Sequence, residues 1–442
     1  MMRFLNIFLY EFHHFRKNSS KVITYLIFVF ACIYSIYSGF SLQQKQKETI
    51  LHIENEQKIE LKRVLDWFDK DISGPRDRDW IDIKQPHWTF RYIPSYSIKN
   101  PSPLIPLGIG QAEQYSYYKE ISHWSSTFDA DMMEEISNPE RLVNGSIDFS
   151  FLIIFLLPIL LIILTYNISG LEKDLKFEKL ITIQSTSLSK WILFRFLFYV
   201  ILLLLTVLIL IFSVFIINQL HSDFYSNFNH LILLSFSYIL IFSLIFYLTI
   251  LFSNNSSSIA FKMISIWLLF CVVIPGGIHQ YASMKHPTNY MTDYLDVNRK
   301  ESYDVFKLPV DQLYDKLVNI YPDLNNTKHG NDSVIDNGII RNTISAIINE
   351  MNKDVISKIE KQNEYKNEFI KSTYWFNPIS CFLNEWNTIT STDYESYYNF
   401  RKKIQRYIDM KLKLMVFDCW DQKIVNKSVY ENYLKQLDIN YK

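Results

Sequence analysis

The chain reads as an α-helical membrane protein, with about five transmembrane helices and two mainly α or α+β extracytoplasmic domains. Three observations carry that expectation. Half of its 442 residues are apolar, yet a fifth are charged, and the two kinds are segregated along the chain. Five stretches are apolar for roughly 20 residues, the length a helix needs to cross a hydrocarbon core of about 30 Å. The Lys and Arg residues of the short loops fall on one side of those stretches when the spans alternate in direction.

Residues 1–21 precede the first span and place Phe4, Phe8, Phe12 and Phe15 on one helical face, with basic residues elsewhere. That pattern suits a helix lying in the membrane interface. The spans are expected at 22–40, 149–166, 191–217, 231–252 and 259–278, the last closing with Pro275-Gly276-Gly277. Pro158 lies inside the second and predicts a kink, tolerated where neighbouring groups satisfy the carbonyl it frees. Arg195 and Lys262 stand near span ends, where long cations snorkel to the headgroups.

Orientation follows from the short loops. Arg3, Arg16, Lys17 and Lys21 precede the first span, and Lys173, Lys176, Lys179 and Lys190 lie in the loop 167–190. The loop 218–230 has neither Lys nor Arg, and 253–258 is a short turn. This places the N-terminus and 167–190 in the cytoplasm, and 41–148 and 279–442 outside, with the C-terminus. No small-x-small cleavage pattern follows the first apolar run, so it reads as a retained start-transfer helix.

The two outer segments carry helical stripes. Ile53, Leu61, Val64, Leu65 and Phe68 predict that the first span continues outward until Ser73-Gly74-Pro75 breaks it. Trp80 to Leu107 reads as loop or short strand. Ile340, Ile344, Ile347, Ile348, Met351, Val355 and Ile359 form a second stripe, Asn377-Pro378 interrupts, and a third helix is expected from Asp393 to about Phe417. Cys32 and Cys271 sit in apolar runs and read as core residues. Cys381 and Cys419 lie in the second outer segment, where a disulfide is open to them.

Catalytic patterns are missing. No two glycines are five residues apart, so the phosphate-cradling G-x-x-x-x-G-K-[ST] loop is excluded, and neither H-E-x-x-H nor G-x-S-x-G occurs. His13-His14 are weak metal candidates. Balanced charge, with 45 basic and 45 acidic residues, argues against nucleic acid as a partner. Energy-driven work would need ATP from another subunit.

Several segments together resemble one family, the bacterial permease subunits of the ABC type-2 exporter class that carry a large extracytoplasmic domain. They are YEFHHFRKNSSKVITYLIFVFACIYSIYSG at the N-terminus; PLIPLGIGQAEQY, with Leu107, Gly108, Gly110 and Gln111; and NPERLVNGSIDFSFLIIFLLPILLIILTY, with Asn138, Pro139, Leu142, Gly145, Asp148 and Pro158. SGLEKDLKFEKLITIQSTSLSKWILFR resembles the family's coupling region, and IPGG and WFNPISCFLNEWNTITSTDYESYYNFRKKIQRY, with Asn377 and Pro378, its last segments. The coupling motif reads Glu172-Lys-Asp-Leu-Lys-Phe here, without the family's glycine, and its sixth span finds no counterpart in 279–442.

The resemblance implies a permease that dimerises with itself or a sister permease in the cell inner membrane. It would couple through Glu172, Lys173, Asp174, Phe177 and Glu178 to a dimer of cytoplasmic ABC ATPases holding ATP and Mg, with no cofactor of its own and membrane lipid around it. Read from the residues alone, Gly108 and Gly110 allow a turn with positive φ, Asn138-Pro139 start a helix, and Asp148 marks the membrane surface. Two further readings stay open. The spans could relay ATP-driven motion to an extracytoplasmic partner without transport, or the outer domains could hold an enzyme site.

Overall fold

The computed structural model describes residues 2–129, 147–169, 187–219, 224–253, 255–287, 294, 300 and 302–439 of the chain. Among the described residues four helices are long and apolar enough to cross a membrane: α2 (Ser19–Asp69), α5 (Leu188–Ile217), α6 (Tyr225–Leu251) and α7 (Ser256–Lys285). A shorter apolar helix, α4 (Phe149–Thr165), packs among them. The chain is a helical membrane protein.

Helix α2 runs unbroken for 51 residues, about 76 Å at 1.5 Å per residue. Asn18 starts it by accepting from the Lys21 amide. Its first half packs Phe28, Cys32 and Ile36 into the apolar bundle, and its second half packs Leu61 and Val64 into a separate core. The expected continuation of the first span is therefore real, because the buried positions keep one helical face through both environments.

That second core is shared by both polar segments. Phe90 and Ile93, from α3 (Pro86–Arg91) and the residues after it, meet Val305 of α8 (Ser302–Lys307) and Leu313 and Leu317 of α9 (Val310–Ile320). Ile340 of α10 (Asn337–Asn342) and Ile347 of α11 (Ser345–Ser372) join them, with Ile404, Leu412 and Trp420 of α13 (Tyr394–Trp420) and Tyr430 of α14 (Lys427–Gln436). The isoleucine stripe thus spans two helices, parted at Thr343–Ile344. Between Trp80 and Leu107 the chain makes α3, a strand and a 3-10 turn. The strand, β1 (Tyr96–Ile98), pairs antiparallel with β2 (Tyr118–Glu120), Ser97 opposite Lys119.

The cysteines are all free. Cys419 lies in the polar segments' core, whereas Cys381 sits on α12 (Pro378–Thr390) beside the apolar bundle, so the two belong to different packing units. Cys32 and Cys271 are bundle residues, as expected.

Lys411 of α13 is buried and pins this core together. Its ammonium donates to the Ile93 carbonyl at 3.1 Å, the Ser95 hydroxyl at 3.1 Å and the Ile121 carbonyl at 2.8 Å, tying α13 to the segments flanking both strands. Burial pushes its pKa down to about 7, against a smaller upward pull from Glu120. Nearby His123 is pushed down to about 3, first by burial and then by His87, Lys411 and Arg91, and stays neutral.

The sign of the pH effect follows from linkage. Between about 7 and the unfolded value of 10.5 the unfolded chain holds a proton that the native chain has released, so stability rises with pH across that window. Lys411→Met removes the titration and orphans the Ile121 carbonyl, at about 1–3 kcal/mol, while the Ile93 carbonyl keeps the Ser95 hydroxyl at 3.1 Å. In thermal melts of the detergent-purified chain, the native protein's advantage over this variant is expected to widen from pH 7 to pH 9, by at most about 1.4 kcal/mol per pH unit.

Candidate functional site

Three polar arrangements organise the bundle, and each grows from a local backbone requirement. The first lies where α1 (Met2–Lys17) meets the start of α2 and the end of α4. Helix α1 turns Phe8, Glu11 and Phe15 inward: Phe8 packs edge-on to Phe198 at 4.9 Å, and Phe15 against Tyr25 and Tyr199. Phe12, expected on that face, is exposed, and Glu11 takes the inward position because the spacing 8, 11, 15 follows the helical repeat.

Glu11 is 0% exposed and Arg195 5%, and the Arg195 Nε donates to Glu11 Oε1. Tyr199 donates its hydroxyl to Glu11 Oε2 at 3.1 Å. A second Arg195 nitrogen donates to the Ile168 carbonyl at 2.7 Å. Lys21 donates to the Leu164 carbonyl and, at 3.1 Å, to Asn167 Oδ1. Lys21 thus takes up a carbonyl of the last turn of α4, and Arg195 one from the turn that follows it. The expectation that Arg195 snorkels outward is corrected. It turns inward because a buried carboxylate is there to pair with it.

The second arrangement is inside the bundle. Pro158 has no N–H to give and frees the Ile154 carbonyl four residues back. A π-helical turn, Leu152–Leu156, absorbs the mismatch just before it. The Tyr238 hydroxyl of α6 donates to that Ile154 carbonyl, and Trp267 Nε1 of α7 donates to the adjacent Phe155 carbonyl at 2.9 Å. Helix α7 repeats the device: Pro275 follows a second π-helical turn, Leu269–Val273, at the same interval of two residues. Pro275-Gly276-Gly277 therefore does not end the helix, which runs on to Lys285.

Helix α12 wedges against both π-turns and α6. It runs antiparallel to α6, with the Ile389 carbonyl accepting from Asn227 and the Phe382 ring 5.0 Å from Tyr238. Trp386 stands 6.1 Å from Phe149, at the start of α4, so Pro378 lies about 12 Å further along the bundle. The approach comes from α11, whose Ile370 packs on Ile278 and Ala282 of α7. Residues 373–377 turn the chain, with Trp375 85% exposed at the tip. Asn377 is the N-cap of α12, accepting from the Ser380 amide and donating to its hydroxyl, and Pro378 occupies the first helical turn.

The third arrangement is a clasp at the end of the bundle facing the polar core. Asp148 caps α4 by accepting from the Ser150 amide and hydroxyl, and its carboxylate also accepts from the amides of Ile109 at 3.1 Å and Gly110 at 3.4 Å. The Gln111 amide donates to the Thr392 carbonyl, the Thr392 hydroxyl to the Gly108 carbonyl, and Trp386 Nε1 to the Leu107 carbonyl. Gly110 has φ +49°, as its expected turn requires. Gly108 does not: its φ is −170°, and it is needed because a Cβ there would press on Thr390 and Trp386.

Of the motif residues, then, Gly108, Gly110, Gln111 and Asp148 converge in one clasp, Asn377 and Pro378 start the wedge, and Pro158 frees the carbonyl that Tyr238 meets. Asn138, Pro139, Gly145, Glu172, Lys173, Asp174, Phe177 and Glu178 fall outside the described residues. Sequence reasoning places Glu11 only in the N-terminal pattern Glu11-x4-Arg16 of the resemblance and singles out none of Tyr238, Trp267, Phe382 and Trp386. A lone carboxylate on an aromatic helical face and a tyrosine within an apolar span were the available signals. Among the described residues no group of three or more His, Cys, Asp or Glu is placed to hold a metal.

No family model, no curated protein and no solved structure matches the chain.

Two variants test the polar fastenings. Glu11→Gln leaves Arg195 buried beside an uncharged partner and is expected to cost about 3–5 kcal/mol, a loss that adding Arg195→Met partly restores. Tyr238→Phe strands the Ile154 carbonyl, at about 1–3 kcal/mol. Both are read as thermal unfolding in a fixed detergent.

Proposed function

We propose that the chain is the transmembrane subunit of an ATP-driven ABC exporter in a bacterial inner membrane, with the N-terminus cytoplasmic and the polar core of residues 41–129 and 302–439 outside. The observation that carries this reading is the buried Glu11–Arg195–Lys21 cluster. It ties α1, α2, α4 and α5 together beside the point where the polar loop 167–190 leaves α4. A push on that loop would then reach three bundle helices at once, because a buried ion pair resists separation. In this reading Glu172, Lys173, Asp174, Phe177 and Glu178 meet a cytoplasmic ATPase dimer, which supplies ATP and Mg. A second copy or sister permease completes the pathway. At the far end, α12 sits between the π-turns as the element that must shift for a substrate to leave.

One observation favours a second reading, in which ATP-driven motion is delivered to an outer partner without transport. Helix α2 joins bundle and polar core without a break, as a rod would. The enzyme reading gains less. In the cavity of about 450 Å³ beside His87 and Cys419, Asp336 is spent as a helix cap and Asp82 on the Lys84 amide.

Affinity purification of the tagged chain from its native membrane, followed by mass spectrometry, tests the proposal. Near-stoichiometric recovery of an ATP-binding-cassette protein is the expected outcome. Its absence under conditions that preserve other membrane complexes would remove the exporter and relay readings together.

A further inference from the structure

A notch of about 480 Å³ opens between the end of α6 and the start of α7, at the opposite end of the bundle from the clasp. Its walls include Leu248 and Phe252 on one side and Phe261 and Ile266 on the other, and Lys262 and Ser253 give it a polar corner. Phe252 and Phe261 are 78% and 73% exposed, so the lips are apolar and face outward, where lipid surrounds the helices.

Lys262 lies six residues into α7, so its Cα stands about 9 Å along from the first residue of that helix. Helical side chains lean toward the N-terminus. The ammonium accordingly reaches back to the turn and donates to the Ser253 hydroxyl at 3.2 Å. An ammonium has three donors, and this contact uses one. Among the described residues no carboxylate pairs with it. A cation with apolar walls on both sides is costly unless an anion meets it. The turn Ser253–Ser258 supplies no acidic residue, being Ser, Asn, Asn, Ser, Ser, Ser.

We propose that this notch binds one anionic phospholipid, its phosphate on the Lys262 ammonium and the start of an acyl chain between Phe252 and Phe261. The match is one of depth as well as charge. A snorkelling lysine holds its ammonium at the headgroup level, while its own stem and the aromatic lips line the hydrocarbon just beneath. The volume is within the range of small-molecule sites and suits a headgroup, glycerol and upper chain. The proposal concerns α6 and α7 alone and does not rest on the exporter reading.

Native mass spectrometry of the full chain, exchanged from detergent into phosphatidylglycerol or phosphatidylcholine at equal mole fraction, tests it. One basic residue near a membrane surface contributes about 1 kcal/mol toward anionic lipid, so occupancy by phosphatidylglycerol is expected to exceed that by phosphatidylcholine about fivefold. Lys262→Gln is expected to bring that ratio close to one, Lys262→Arg to keep it, and Phe261→Ala to lower both occupancies alike. Inorganic phosphate should leave the bound lipid in place. Equal occupancy by the two lipids in the native protein, or a ratio unchanged in Lys262→Gln, overturns the proposal. Displacement by inorganic phosphate overturns the assignment to lipid and leaves a bare phosphate site.

Discussion

The Ile154 carbonyl has lost its helical donor to Pro158 in a place where water is not at hand. Hydrocarbon offers nothing to replace the missing hydrogen bond, so the protein must bring a donor from another helix. Tyr238 and Trp267 do this from α6 and α7, and both reach across to α4. Donation to the freed Ile154 carbonyl and to that of its neighbour Phe155 thus ties these three helices together. It also leaves two π-turns side by side, and the face they present with α6 is the one that α12 covers.

That arrangement explains why α12, with polar residues such as Asn384, Glu385 and Asn387 in its second half, lies against an apolar bundle. Its apolar residues Ile379, Phe382, Leu383, Trp386 and Ile389 face the bundle, and its end is held by the clasp at Gly108 and Thr392. The clasp in turn needs glycine at two positions for different reasons, positive φ at Gly110 and close approach at Gly108. Gly39 on α2 plays a similar part, since a Cβ there would come within 2.5 Å of Pro106. Small residues let the segment 105–111 lie against α2, α4 and α12 at once.

The opposite end is fastened differently. Charges rather than close backbone approach hold α1 to the bundle, and they are buried charges. Such a cluster is poor evidence for stability as such, since apolar replacements often do as well, but it defines one geometry and resists any other. It lies beside the root of a polar loop, where a defined geometry matters most if force arrives there. Among the described residues, Lys262 at the same end of the bundle has no such partner.

Much of this was legible from residue order. Apolar length marked the membrane helices and period 3.6 carried α2 past its span, whereas Asn377-Pro378, which reads as an interruption, starts α12. The proline in α4 announced a freed carbonyl, as backbone chemistry requires wherever proline enters a helix. What residue order left open was the identity of the partners. Arg195 could point to lipid headgroups or to a carboxylate, and only the arrival of α1, 184 residues away in sequence, decided for Glu11. Cys381 and Cys419 lie in one segment, yet packing sends one to the bundle and the other to the polar core. The Pro-Gly-Gly of α7 reads as a stop, but a π-turn before it and α11 beside it let the helix continue. By itself the sequence determined which residues are helical and which are apolar, because those are properties of local backbone and side-chain chemistry. Tertiary structure alone decided which donor meets which freed carbonyl and which charge meets which, because those depend on distances between segments that local chemistry does not specify.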